Sequence, residues 1–273
     1  MPMRFSERKG YKKVSDIIQL TEMSDELCAS LWNVLYLVKW RIETQNSYDL
    51  SQTYTDIDVY SATLWFAYFK QPADERPRNP HDRLQKIRDY FFECQWYEAY
   101  DFIEFTLNYY NDDALTTDIN NVLERELSGF RFIGGVFSDI TDHEEVTMLQ
   151  SALSDNDFPA VKAHLKRALE LLSNREQPDY RNSIKESISA VESLARIISG
   201  DSKATLGDAL KSIEKKGKVH PALKEAFLKL YGYTSDEGGI RHAMLDEPEL
   251  SGTDAKFFLL SCTSFINYLK AKV

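Results

Sequence analysis

Arg241 and His242 stand side by side just behind a Gly238-Gly239 pair, in the stretch Leu230-Tyr-Gly-Tyr-Thr-Ser-Asp-Glu-Gly-Gly-Ile-Arg-His-Ala-Met244. An imidazole takes and returns a proton near neutral pH, and a guanidinium keeps its charge there. The pair therefore has the parts for metal-free general acid–base chemistry with stabilisation of a developing anion. That combination suits transfer of an RNA phosphodiester to its own 2′-hydroxyl, where one group takes a proton and a cation steadies the phosphorus oxygens. The two glycines offer a second use. Free of Cβ restrictions, their backbone N–H groups can face an anion, with Arg241 as the charged partner and Asp236 nearby in sequence. A third use is internal, with Arg241 and His242 pairing to Glu192 or Asp236 and so fixing the stretch to its neighbours. Adjacent residues on a regular helix project about 100° apart, so both address one substrate only at a helix end, in a loop or across a dimer interface.

Other chemistries find no support in the residue pattern. The five histidines, His81, His143, His164, His220 and His242, form no HExxH or other ligand pair, and none is joined by Cys28, Cys94 or Cys262. Neither GxxxxGK[ST] nor GxGxxG occurs, and no GxSxG elbow presents a serine. The expectation is no metal and no cofactor. The three cysteines lie far apart with no CxxC, which fits a reducing, cytoplasmic setting. No run of about 18 apolar residues is present and the first ten residues lack an apolar core, so no membrane partner is expected.

The net charge is −10, but it is unevenly spread: residues 1–150 hold 15 basic and 26 acidic side chains, residues 151–273 hold 18 and 17. Phosphate contacts come mainly from Lys and Arg, so a nucleic-acid role is disfavoured in the first half and permitted in the second.

Helices must position these groups. Ser24-Asp25-Glu26 starts one, with Leu27, Leu31, Val34, Leu35 and Val38 on one face through Trp40. A second spans about 56–70, and Asn79 before Pro80 opens a third. Residues 80–110 are the most aromatic stretch and read as one long packed helix, because the interleaved Glu93, Glu98, Asp101 and Glu104 would repel a phosphate backbone. Thr117–Leu127 reads as a short helix. The two short apolar runs around Gly134-Gly135 then predict a hairpin, and Thr141-Asp-His-Glu144 has capping-box spacing for the next helix. Ser154-Asp-Asn-Asp157 is the expected domain boundary. Pro159, Pro178, Thr205, Pro221 and Thr253 each start a helix beyond it. On the helix after Pro178, Glu192 falls on or beside the buried face and needs a partner, while Glu186 lies off that face in a solvated position. Lys215-Lys216-Gly217-Lys218 suits a helix C-terminus, with phosphate binding as its other use.

Specific segments resemble a known family. Phe5-Ser-Glu-Arg-Lys-Gly-Tyr-Lys-Lys-Val14, Ile18-Gln-Leu20 and Leu31-Trp-Asn-Val-Leu35 resemble the amino-terminal domain of AbiJ-type abortive-infection proteins. Tyr180–Leu194, Gly238-Gly-Ile-Arg-His-Ala243 and Asp254–Leu269 resemble the HEPN-like helical domain that often follows it, and the hairpin with its Thr-Asp-His-Glu-Glu helix is similar to the joining segment. The resemblance implies a mainly α protein: an amino-terminal helical domain at 1–128, a β-hairpin and connecting helix at 129–156, and a HEPN-like four- or five-helix bundle at 157–273. It implies an antiphage role, a homodimer through the 157–273 domain, and metal-independent endoribonuclease activity on RNA. Its alternative is a non-catalytic module binding a nucleotide, RNA or partner protein in a defence system. His242, Arg241 and the helix carboxylate Glu192 are the catalytic residues carried over. The usual spacing in such domains is Arg, four to six residues, then His. Here that window holds Asp246, Glu247 and Pro248 after Arg241, and Glu237, Asp236 and Ser235 before His242, so the pair is adjacent instead.

Overall fold

The computed structural model describes residues 5, 9, 18–40, 56–154, 157–174, 177–235 and 250–272. Among these the chain is mainly helical, with eleven α-helices and one two-stranded hairpin, in two compact units, residues 1–139 and 140–273.

In the first unit, α1 (Asp25–Leu35) is capped by Ser24, whose hydroxyl accepts the Leu27 N–H at 3.2 Å. It does not continue as α-helix to Trp40 but passes into a π-helical turn, Tyr36–Trp40. The widened turn has a packing reason. Five α-helical residues after Leu35, Trp40 would lie about 140° round the helix, facing away from the core. Instead it is buried, stacks on Tyr60 at 5.4 Å and donates Nε1–H to Tyr110 Oη at 3.0 Å. The same device ends α2 (Asp56–Thr63), which runs into the π turn Leu64–Tyr68.

Asn79 caps α3 (Pro80–Glu93), with proline at its first position as expected. The predicted single helix over 80–110 is in fact two, α3 and α4 (Trp96–Tyr110), parted at Cys94 and restarted where the Gln95 N–H meets the Glu98 carboxylate at 2.8 Å. Packing requires the break. Phe91 and Phe102 are 5.5 Å apart between ring centres, whereas eleven residues of straight helix would separate them by about 16 Å. The aromatic residues thus form a core of Trp32, Trp40, Tyr60, Phe91 and Phe102, with Tyr60 Oη and Thr106 Oγ1 satisfying each other at 2.7 Å. Buried Arg83 of α3 is ion-paired with Asp58 of α2.

Helix α5 (Asp113–Arg125) starts earlier than Thr117, because Asp112 accepts the Ala114 and Leu115 N–H groups. Strands β1 (Arg131–Ile133) and β2 (Val136–Ser138) pair antiparallel around Gly134 and Gly135, whose φ angles of 64° and 107° meet the demand of a primed two-residue turn. Phe132 and Phe137 are the opposed pair whose backbone groups point away from the partner strand. Side chains take those groups. Asn120 of α5 exchanges two bonds of 2.8 Å with the Phe132 N–H and C=O, and Glu104 of α4 accepts the Phe137 N–H at 2.8 Å. Two strands alone are marginal, and both edges are here covered by helix side chains.

The second unit holds α6 (His143–Ser154), α7 (Pro159–Ser173), α8 (Tyr180–Ser199), α9 (Leu206–Lys215), α10 (Pro221–Ser235) and α11 (Gly252–Lys270). The caps of α6 and α11 differ from the expected ones. Asp142 accepts the Glu145 N–H at 3.0 Å in place of Thr141, and Ser251 rather than Thr253 accepts the Asp254 N–H at 3.3 Å. Gly200 closes α8 in the left-handed region, φ 83°. Helices α7 and α8 form an antiparallel hairpin in which the Asp179 N–H donates to Leu171 O at 3.1 Å and Ser183 Oγ to Ala168 O at 2.8 Å. Ser183, Ser187 and Ala190 on the buried face of α8 are small, which permits close helix approach, and each hydroxyl is satisfied by a carbonyl. Helix α11 runs beside α8: Gly252 at its start backs onto the Tyr180 ring, and Lys270 near its end lies over Phe158, where α7 begins. Phe227 of α10 stacks on Phe265 of α11 at 4.1 Å.

Candidate functional site

Helix α8 carries Glu192, the one candidate catalytic residue among the described residues. It is half-buried, its side chain 16% exposed, with Arg196 one turn on at 3.9 Å. Arg196 is itself 40% exposed and donates Nε–H to Ala204 O at 2.9 Å, so its charge is shared and the ion pair contributes little to stability. Arg241, His242, Asp236, Gly238 and Gly239 lie outside the described residues, and with them the pairings expected among these five and Glu192.

The helix ends on either side of that stretch are described. The preceding helix ends at Ser235 and the following one starts at Gly252, where a Cβ would stand 3.4 Å from Tyr180 Oη. Tyr180 opens α8, so α11 starts at the N-terminal end of α8. Twelve residues separate Tyr180 from Glu192, about 18 Å along the helix at 1.5 Å per residue.

A different pair lies nearer to Tyr180. His164 Nδ1 of α7 and Glu186 Oε2 of α8 are 2.6 Å apart, with side chains 36% and 25% exposed. Glu186 is therefore partnered across the hairpin, not a solvated position. A carboxylate that accepts the Nδ1 proton leaves Nε2 as the basic nitrogen, the tautomer a general base needs. The sequence held a signal for this pair. The pairs His164–Glu186 and Leu171–Asp179 share the same sum of positions, as partners across two antiparallel helices do.

The thiols offer no nucleophile at neutral pH. Burial pushes Cys28 and Cys94 up to about 11 and Cys262 up to about 12, which keeps all three protonated. Among the described residues no three His, Cys, Asp or Glu side chains converge as a metal site would require, and no helix is long and apolar enough to cross a membrane. In the first unit a cavity of ≈ 550 Å³ opens between α1 and α3, lined by Trp32, Tyr36, His81 and Phe92, with the Arg88 guanidinium over the Phe92 ring at 4.7 Å.

Among known families, residues 3–155 fit the model described as AbiJ N-terminal domain 4, a span that takes in the described part of the first unit and helix α6 of the second. No curated protein and no solved structure matches the chain.

Proposed function

This chain belongs to the AbiJ N-terminal domain 4 family, and from that premise we propose an abortive-infection protein whose second unit is a HEPN-like bundle that cuts RNA without a metal ion. Membership supports the abortive-infection, antiphage role. Support for the cleavage reading comes from one arrangement. The stretch bearing Arg241 and His242 lies between α10 and α11, and α11 starts against Tyr180, toward the end of the bundle that also holds the His164–Glu186 pair.

In this reading His242 takes the proton of the RNA 2′-hydroxyl as its oxygen attacks the adjacent phosphorus. Arg241 stabilises charge on the non-bridging oxygens, and the 5′-oxygen leaves with a proton from an imidazolium, supplied by a second copy in a dimer formed through residues 157–273. The bond formed is 2′-O–P and the bond broken is P–O5′. The products are a 2′,3′-cyclic phosphate and a 5′-hydroxyl. The acidic first unit senses infection or restrains the second.

A phage challenge tests the role in cells. Bacteria carrying the chain should stop growing after infection, release few progeny and accumulate RNA with new 5′-hydroxyl ends. Normal phage yield with intact RNA would count against the proposal.

A further inference from the structure

We propose that the second unit also holds a binding site for a phosphate-bearing nucleotide, in a cleft of ≈ 680 Å³ between the turn joining α9 to α10 and the C-terminal end of α11. A volume of that size is in the range of small-ligand sites, roughly 300–1,000 Å³.

Its lining is cationic. Lys211 and Lys215 stand one turn apart on α9, Lys218 follows Gly217 in the turn, and Lys272 arrives from beyond α11. The cleft's one carboxylate, Glu214, is already bound by Lys224 at 2.7 Å, and Lys224 also meets Glu225 at 3.0 Å. Lys211, Lys215, Lys218 and Lys272 therefore have no carboxylate partner among the described residues. In a chain of net charge −10, the cleft lining holds five lysines, Lys211, Lys215, Lys218, Lys224 and Lys272, against the single carboxylate of Glu214. Such a concentration of one sign in a concave surface raises the local potential and draws in anions. Two further features have the same polarity. Helix α10, fifteen residues long, presents its N-terminal end at Pro221 in the cleft wall. His220 accepts the Ala222 N–H on Nδ1 at 3.2 Å, which leaves Nε2 as the donor of the neutral ring.

The cleft also has an aromatic wall. Tyr268 is the last ring of a near-parallel stack, Phe227 on Phe265 at 4.1 Å and 12°, then Phe265 to Tyr268 at 6.2 Å and 15°. Lys272 Nζ lies 5.6 Å from the Tyr268 ring centre. A nucleobase laid on Tyr268 in place of the Lys272 ammonium would extend the stack, with Lys272 and the other lysines meeting its phosphates, which is how cationic grooves with aromatic platforms hold single strands. The phosphate could belong to an RNA strand or to a free nucleotide. The RNA source rests on the function proposed above; the cleft does not. Sixteen residues of α11, about 24 Å, lie between Gly252 and Tyr268, so its lysines are separate from the Arg241–His242 stretch's point of entry at Gly252.

The test uses the full chain with His242→Ala, so that the presence or absence of cleavage cannot affect the reading. Affinities for a labelled 12-nucleotide single-stranded RNA and for ATP are measured against salt. Lys211→Glu with Lys215→Glu, both at exposed positions, should weaken at least one ligand tenfold or more. For RNA it should also flatten the slope of log affinity on log salt by about 1 to 1.5, at ~0.7 per single-strand phosphate contact. Tyr268→Leu should weaken the nucleotide ligand severalfold and leave pyrophosphate binding unchanged. Loss for RNA identifies the strand as ligand, and loss for ATP alone identifies a free nucleotide. Undiminished binding of both ligands by the double variant, or an equal loss in a Lys203→Glu, Lys229→Glu control outside the cleft, would overturn the site.

Discussion

His242→Ala is expected to slow RNA cleavage by about 10²–10⁴-fold, the usual contribution of a positioned general acid or base, with no change in the thermal transition. The two halves of this expectation separate the three uses of the stretch. If His242 moves a proton, the rate falls while the fold is untouched. If it pairs with Glu192 or Asp236 to hold the stretch in place, the melting temperature falls. If the stretch binds an anion through Gly238, Gly239 and Arg241, RNA affinity persists in the alanine variant and no cleavage is seen in either protein. The described geometry bears on the pairing use: Glu192 already has Arg196 as a cation, and it stands about 18 Å along α8 from Tyr180, against which Gly252 of α11 packs. His164→Ala is the informative companion. Its Glu186 bond holds the imidazole in place, so an unchanged rate is expected where a second copy supplies the leaving-group proton, and a rate loss would move that role to His164.

Asn120→Leu is expected to destabilise the first unit by about 2–6 kcal/mol, because it leaves two buried backbone groups of Phe132 without partners at ~1–3 kcal/mol each. The side chains are similar in size, so the loss reports hydrogen bonding and not a cavity. Asn120 is 8% exposed, and its amide acts in place of a third strand, giving and accepting one bond each at 2.8 Å. Urea denaturation followed by tryptophan fluorescence reads this directly, since Trp32, Trp40 and Trp65 are all in the buried core of that unit. Asn108→Ala is the control: it removes a single exposed bond to Gly135 O and should cost far less. Equal stabilities for Asn120→Leu and the parent would mean that the hairpin is held without Asn120, by its own turn, the Glu104 bond and the Phe132–Phe137 contact.

Features with a local cause were legible in the sequence. Asn79 before Pro80, Gly200 after an apolar face and the Gly134-Gly135 turn each depend on two or three neighbouring residues, and each ends or starts an element where expected. Features caused by tertiary packing were not. The π turns at Tyr36–Trp40 and Leu64–Tyr68 exist to bring rings inward, and their sequences satisfy an α-helical pattern equally well. The break at Cys94 has no glycine or proline; it lets Phe91 meet Phe102, and the Gln95–Glu98 cap restarts the helix. At the candidate site the limit is similar. Arg241 and His242 stand out by residue type, but the His164–Glu186 pair joins positions 22 apart and becomes visible only once the hairpin register is known.

The account is tested most directly by incubating the purified full chain with single-stranded RNA in excess EDTA and determining the ends of whatever appears. It predicts fragments that carry 2′,3′-cyclic phosphate and 5′-hydroxyl ends, produced by the parent chain and not by His242→Ala. Intact RNA, cleavage only when a divalent metal is restored, or equal cleavage by the His242→Ala chain would contradict it.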